Sequence, residues 1–144
     1  MLRLLALSTL LFTGLVCADA PRRILFGSCS HQDKDIPIFN AIIKAQPEIF
    51  IFLGDNIYGD TEDMASLQSK YQKLGAKPGF KQLKEQAQLI AIWDDHDFGA
   101  NDAGKEYSQK EASREIMLNF WEEPQDSLRR SREDGIYTSY TYGQ

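Results

Sequence analysis

Two short apolar runs, residues 49–53 and 89–93, constrain the fold of this chain more than any other feature of its sequence. Each run is uninterrupted and too short for a buried helix, which is typical of a strand covered on both faces of a sheet. A third apolar run, residues 24–26, ends at Gly27. Segments with the apolar spacing of helices lie between the runs, so strand and helix alternate along the chain. The sequence therefore predicts an α/β fold with a mostly parallel sheet flanked by helices.

Two further helix starts and one further strand are predicted from residues that favour helix caps or β-structure. Thr61 is expected to cap the helix that follows the second strand. Ser108 and Glu111 have the spacing of a capping box and predict the start of a later helix. Residues 136–142 alternate residue types that favour β-structure, so we expect a strand there.

The first 18 residues have the features of a secretory signal peptide rather than of a folded segment. A positive start at Arg3 is followed by a mostly apolar run over residues 4–16 and then by small residues. The run is too short to favour a stable membrane span, and an uncleaved anchor helix is the alternative interpretation. We expect export to the periplasm, the cell envelope or the medium. Cleavage is expected after residue 18 or 20, which leaves residues 19–144 as one domain.

Charge and cysteine content narrow the class of ligand. The chain has 21 Asp and Glu against 16 Lys and Arg, a net charge of −5, and no basic stripe. This composition argues against nucleic acid as a partner and favours a cation. After cleavage Cys29 would be the remaining thiol of an exported protein, and such a thiol is expected to be either buried and inert or bound to a metal.

Three polar clusters follow the three predicted strands, at residues 27–31, 54–60 and 93–97. Binding sites in α/β folds lie at the carboxyl ends of the strands, so we expect the clusters to share one edge of the sheet. Carboxylates crowded in this way are costly unless cations neutralise them. The clusters therefore predict a metal site.

The donor types in these clusters indicate which chemistry the site would support. Carboxylate, amide, phenol and thiolate donors together suit a ferric or similar ion beside a harder divalent ion. Two metals can clamp a phosphate, activate a water molecule and stabilise a leaving oxygen. His96 is then expected to donate a proton or to stabilise charge, and Asp97 to orient its ring.

The motifs FGSCS at 26–30, LGDNIYGD at 53–60 and WDDHDFGANDAG at 93–104 strongly resemble those of the alkaline phosphatase D (PhoD-like) family. This family belongs to the calcineurin-like metallophosphatase superfamily. The resemblance implies an αββα sandwich and phosphomonoesterase or phosphodiesterase activity in the cell envelope. It also implies an iron-containing centre with calcium, acting on a phosphoester substrate.

The resemblance also implies roles for single residues. Cys29 matches a thiolate ligand, Asp55 a carboxylate that bridges two metals, and Tyr58 a phenolate on the ferric ion. Asp95 stands at the position where the superfamily has a metal-binding asparagine, and Asn101 is a weaker ligand candidate. His96 matches the histidine that faces the substrate.

The resemblance covers residues 22–144, which correspond to about the first half of the family pattern. The expected fold is accordingly a partial metallophosphatase sandwich, the N-terminal part of the PhoD-like domain. One alternative is an inactive remnant that binds a metal or a partner without catalysis. Another is a thiol hydrolase that uses Cys29.

Overall fold

A single three-stranded parallel sheet organises the protein. The structure is a computed structural model, and it describes residues 20–133 and 135–143. The strands are β1 (Ile24–Gly27), β2 (Ile49–Leu53) and β3 (Gln88–Ile92), paired in the order β1-β2-β3. The α/β class and the parallel sheet predicted from the apolar runs are therefore confirmed.

Six helices in the described ranges connect and flank these strands. They are α1 (Ile38–Lys44), α2 (Met64–Ala76), α3 (Pro78–Gln86), α4 (Asp95–Phe98), α5 (Lys110–Phe120) and α6 (Leu128–Ser131). Within the part of the chain that the structure describes, no helix has the length and apolarity needed to cross a membrane. The predicted signal peptide, residues 1–18, lies outside the described residues.

An aromatic core joins β2 to the helices. The Phe52 ring is buried, and its centroid lies 4.8 Å from that of Trp121, 6.0 Å from that of Phe80 and 6.5 Å from that of Phe39. These rings come from α1, α3 and the end of α5, so one strand residue ties three helices to the sheet. Because burial of this aromatic area fixes the strand, the loops that follow the strands start from a rigid support.

The opposite face of the sheet is only partly covered, since Phe26 and Ile24 on that face are 70% and 46% exposed and the described segment beside it is residues 136–142. Residues 136–142 border a cavity of about 440 Å³ together with isoleucines of all three strands. Ile136 is buried, and its carbonyl oxygen accepts a hydrogen bond from Arg129 Nε at 2.7 Å. The strand predicted for 136–142 is therefore wrong. Residues of this segment line the sheet face beside the isoleucines and do not adopt a strand.

Two predicted helix caps also differ from the structure. The side chain of Asp63 caps α2, accepting from Ala65 N at 3.1 Å, while Thr61 Oγ1 accepts from Asp63 N. α5 begins after Gln109 without a side-chain cap, and Glu111 pairs with Arg114. Thr61 and Glu111 each pair with another local partner, so neither takes the capping role expected from the sequence.

Candidate metal centre

The loops after β1 and β2 are held side by side beyond the ends of their strands. Cys29 N donates to Gly54 O at 3.2 Å, and Ser30 N donates to Asp55 O at 2.9 Å. Ser30 Oγ donates to Asn56 O at 2.8 Å. This pairing continues the parallel register of the sheet and places Cys29 beside Asp55.

Glycines let the loop after β2 approach the loop after β3. Gly54 has φ +106°, and a Cβ at this position would lie 2.7 Å from the Cβ of Asp94. Gly59 N donates to His96 O at 2.9 Å, and a Cβ on Gly59 would lie 2.6 Å from the same oxygen. A larger side chain at either glycine would separate the two loops.

Asp55, Asp95 and His96 converge as a result. Each offers one ligand atom, these atoms lie within 4.8 Å of one another, and all three residues are partly buried. Asp55 Oδ1 is buried and has no hydrogen-bond partner among the described residues. Two carboxylates and an imidazole suit a divalent or trivalent cation, and a cation would satisfy the unpaired oxygen. The residues present therefore fit a metal ion.

Cys29 and Tyr58 stand next to this cluster. Cys29 Sγ lies 3.5 Å from Asp55 Oδ2, and the backbone of Cys29 is held at φ +62°, a conformation that costs energy in a residue other than glycine. Burial raises the pKa of the Tyr58 phenol, and the negative charges of Cys29 and Asp55 raise it further. The metal-free site therefore holds Tyr58 as a neutral phenol, so a phenolate there needs a cation to stabilise it.

Asp60, which the sequence analysis did not single out, contacts the ring of His96. Asp60 Oδ1 lies 2.7 Å from His96 Nδ1. This hydrogen bond is the main cause that raises the pKa of His96, and desolvation opposes it. Asp60 belongs to the polar run 54–60, which is the sequence signal that could have identified it.

Asp97 has a different environment from the one predicted. It is fully buried, and its Oδ1 accepts from Asp94 N at 2.5 Å while its Oδ2 accepts from Asn56 N at 2.9 Å and from Asn56 Nδ2. Asp94 and Asp97 form the capping box of α4. Burial raises the pKa of Asp97 to about 7, against these N–H donors, which lower it. Asp97 thus holds the loop after β2 against the loop after β3. The carboxylate that contacts the His96 ring is that of Asp60.

Asn101 is linked to the cluster only indirectly. It is exposed, and its Nδ2 donates to Asp102 Oδ2 at 2.7 Å. Asp102 N in turn donates to Asp95 Oδ2 at 2.7 Å, the main cause of the lowered pKa of Asp95. Of the predicted metal ligands, the structure therefore brings Cys29, Asp55, Tyr58 and Asp95 together and leaves Asn101 at the edge.

His31 is held in a way that does not favour a Cys-His nucleophile pair. Its ring stacks on Tyr58, with centroids 4.7 Å apart and planes inclined by 16°. His31 Nδ1 accepts from Asp33 N at 3.2 Å. Cys29 Sγ lies beside the Asp55 carboxylate and interacts with the Tyr58 phenol, and neither group can serve as the imidazole base of such a pair.

Cavities open on two sides of the cluster. One, of about 440 Å³, borders Asp95 and is lined by Trp93, Phe98 and charged side chains of both signs. The other, of about 350 Å³, borders Cys29 and Tyr58. Groups of a substrate could therefore extend from the cluster in two directions.

Comparison with known proteins found no match for this chain among protein-family models, curated proteins or solved structures. Function must therefore be inferred from the geometry of the loops and from the motifs they carry.

Proposed function

We propose that this chain carries the metal-binding loops of an exported phosphoester hydrolase of the PhoD-like type. The observation that carries the proposal is the convergence of Asp55, Asp95 and His96, with a buried oxygen of Asp55 left unpaired. The order of the three motifs, FGSCS, LGDNIYGD and WDDHDFGANDAG, supports the same assignment. The two cavities beside the cluster give a substrate access to it.

Asp55 and Asp95 would hold the metal, with Cys29 and Tyr58 as adjacent donors. Thiolate and phenolate suit a ferric ion, and carboxylates suit calcium, so the donor types fit the two metals that the family resemblance implies. When bound, such metals polarise a phosphoryl group and supply a water-derived nucleophile. Cys29 Sγ lies 3.5 Å from Asp55 Oδ2, so it would bind the same ion as a thiolate ligand.

His96 would act on the substrate through its second ring nitrogen. Asp60 holds Nδ1 and favours the protonated ring, which leaves the Nε2 proton available to the oxygen of a leaving group. Tyr58 packs against the same ring, with centroids 4.3 Å apart, and limits its rotation. In this proposal Asp97 contributes by holding the loops and not by touching the substrate.

Metal content and hydrolysis measured together test the proposal. The 144-residue chain is loaded with iron and calcium and assayed with p-nitrophenyl phosphate and bis(p-nitrophenyl) phosphate. We expect metal-dependent turnover that is lost in Asp55→Asn and retained in Asp126→Asn, a control at an exposed acidic residue outside the cluster. Failure to bind either metal in the wild type would overturn the proposal.

A second candidate is metal binding without catalysis. It is favoured by the small number of ligands in the cluster, since Asn101 is not beside the other ligands and the cluster combines three residues. Open coordination positions filled only by water fix a substrate poorly. Stoichiometric metal binding without hydrolysis of either ester would select this candidate.

A further inference from the structure

We propose that Gln32 is a positioning residue that holds the Tyr58 ring between the two histidines, His31 and His96. This inference deepens the proposed function, and it rests on that function only where Tyr58 is taken to take part in the reaction. Gln32 lies in the loop after β1, and its side chain is 3% exposed. Glutamine is mostly exposed in proteins, and a buried amide requires hydrogen-bond partners, so its partners identify what it holds.

The amide of Gln32 pairs with the main chain of Tyr58 at two points. Tyr58 N donates to Gln32 Oε1 at 2.8 Å, and Gln32 Nε2 donates to Tyr58 O at 3.2 Å. Because Tyr58 N is a fixed donor, the orientation of the amide is determined by this contact. Two-point pairing sets both the distance and the direction of the Tyr58 peptide, as a pair of strand residues would.

The ring that this pairing positions lies between two imidazoles. The Tyr58 centroid is 4.7 Å from that of His31 on one side and 4.3 Å from that of His96 on the other. His31 precedes Gln32 directly in the chain, so the amide that binds Tyr58 also fixes the neighbouring His31. A shift of the Tyr58 peptide would therefore disturb both ring contacts.

A helix anchors the loop that carries Gln32. Gln32 Nε2 also donates to Asp33 Oδ2 at 2.9 Å, and Asp33 Oδ1 accepts from Lys73 of α2 at 2.7 Å. Lys70, one turn earlier on α2, donates to Gly59 O at 2.5 Å. One helix thus ties down both loops, and Gln32 is the side chain that sets Tyr58 relative to them.

Ser30 provides a matched control, because its side chain joins the same two loops without binding the main chain of Tyr58. Its hydroxyl joins the same two loops by a 2.8 Å bond to Asn56 O, and it is 9% exposed. Its hydroxyl donates to the main chain of Asn56 and not to that of Tyr58. If Gln32 only stabilised the loops, loss of either side chain would have the same kind of effect.

The test measures the ring-proton NMR shifts of His31 and His96 in the metal-free chain of 144 residues. Gln32→Met keeps the length of the side chain and removes all three hydrogen bonds, whereas Gln32→Glu keeps the acceptor for Tyr58 N. Tyr58→Leu gives the shifts in the absence of the aromatic ring. Thermal unfolding is measured for every variant, so that shifts are compared between variants of similar stability.

We expect Gln32→Met to move the shifts of both histidines most of the way to the Tyr58→Leu values, and Ser30→Ala to leave them at the wild-type values. Wild-type shifts in Gln32→Met, or equal movement in Ser30→Ala, would overturn the proposal. If Gln32→Met does not fold, Gln32→Glu replaces it: its second carboxylate oxygen would face Tyr58 O and Asp33 Oδ2, which both accept from Gln32 Nε2, so two-point pairing is lost. Both shifts should then still move toward the Tyr58→Leu values, and wild-type shifts would count against the proposal. Absence of hydrolysis in the wild type would defeat the proposed function alone, because the shifts are measured without metal or substrate.

Discussion

The carboxylate of Asp60 lies 2.7 Å from Nδ1 of His96 and thereby determines which ring nitrogen is left for chemistry. With Nδ1 committed to Asp60, Nε2 is the nitrogen that can meet a metal or a substrate. The hydrogen bond favours the protonated ring, in which Nε2 carries a proton. A protonated His96 suits proton donation, whereas a metal ligand would have to be the neutral ring.

The effect of Asp60 on His96 is measurable as a pH dependence. In the metal-free protein we expect Asp60→Asn to lower the pKa of His96, since it removes the main cause of the raised value. The pair should contribute fully to the free energy of unfolding below the usual histidine pKa of 6.5 and lose that contribution as the pH rises through the folded-state pKa. NMR titration and denaturation at several pH values check both statements. An unchanged His96 titration in Asp60→Asn would contradict them.

Replacement of Asp55 should have opposite effects with and without metal. Asp55→Asn removes one negative charge from a site that also contains Asp95, so the metal-free protein should unfold at the same temperature as the wild type or above it. Metal affinity and hydrolysis should fall, because the buried Oδ1 loses its charge. Thermal unfolding in chelator and in added metal measures the difference. Asp126→Asn is the control, and a marked loss of stability of Asp55→Asn in chelator would contradict the prediction.

Replacement of His96 separates its two possible roles. If His96 acts as a proton donor, His96→Asn should retain metal and slow turnover by roughly 10²-fold or more. Its position within 4.8 Å of Asp55 and Asp95 also makes it able to act as a ligand. Metal analysis beside steady-state kinetics measures both properties. Loss of metal equal to that in Asp55→Asn would contradict the role of proton donor.

The sequence predicted the convergence of the loops better than the direction of each side chain. Cys29, Asp55 and Asp95 follow three parallel strands, and the carboxyl ends of such strands meet at one edge, so the apolar runs were sufficient to place them together. Asp97 lies two residues after Asp95 and is nevertheless fully buried. The one-turn helix α4 separates the two carboxylates, and a helix of that length leaves no apolar periodicity in the sequence.

Backbone conformation accounts for the remaining differences. Asp60 has φ +43°, which belongs to the left-handed region, and its carboxylate reaches the His96 ring across a loop that sequence spacing does not reveal. The segment 136–142 has the alternation of a strand, but it lies across the isoleucines of the sheet and not at an edge. Alternating residue types show that the two sides of a segment differ in character. They do not show which surface of the protein the segment packs against.

The buried carboxylate of Asp97 should be required for stability. In Asp97→Asn the amide nitrogen must face either Asp94 N or the Asn56 donors, so a buried donor loses its acceptor at a cost of about 1–3 kcal/mol. Urea denaturation measures this loss. Asp94→Asn is the matched control, because asparagine caps a helix as well as aspartate does. Wild-type stability with reduced turnover in Asp97→Asn would instead support the catalytic role predicted from the sequence, in which Asp97 orients the His96 ring.

The loop contact that assembles the site should depend on the glycine at position 54. Gly54→Ala introduces a Cβ that would lie 2.7 Å from the Cβ of Asp94 and 2.9 Å from its backbone nitrogen, at a φ of +106°. Left-handed backbone alone costs a residue with a Cβ roughly 1–2 kcal/mol, and the close contact adds to that cost and separates Asp55 from Asp95.

Gly27→Ala is the control, since the nearest atom to its Cβ, on Phe50, would lie at an ordinary 3.5 Å. We therefore expect Gly54→Ala to lower both the free energy of unfolding and the metal affinity, and Gly27→Ala to leave metal affinity unchanged. Equal metal affinity in the two variants would show that the approach of these loops does not form the site.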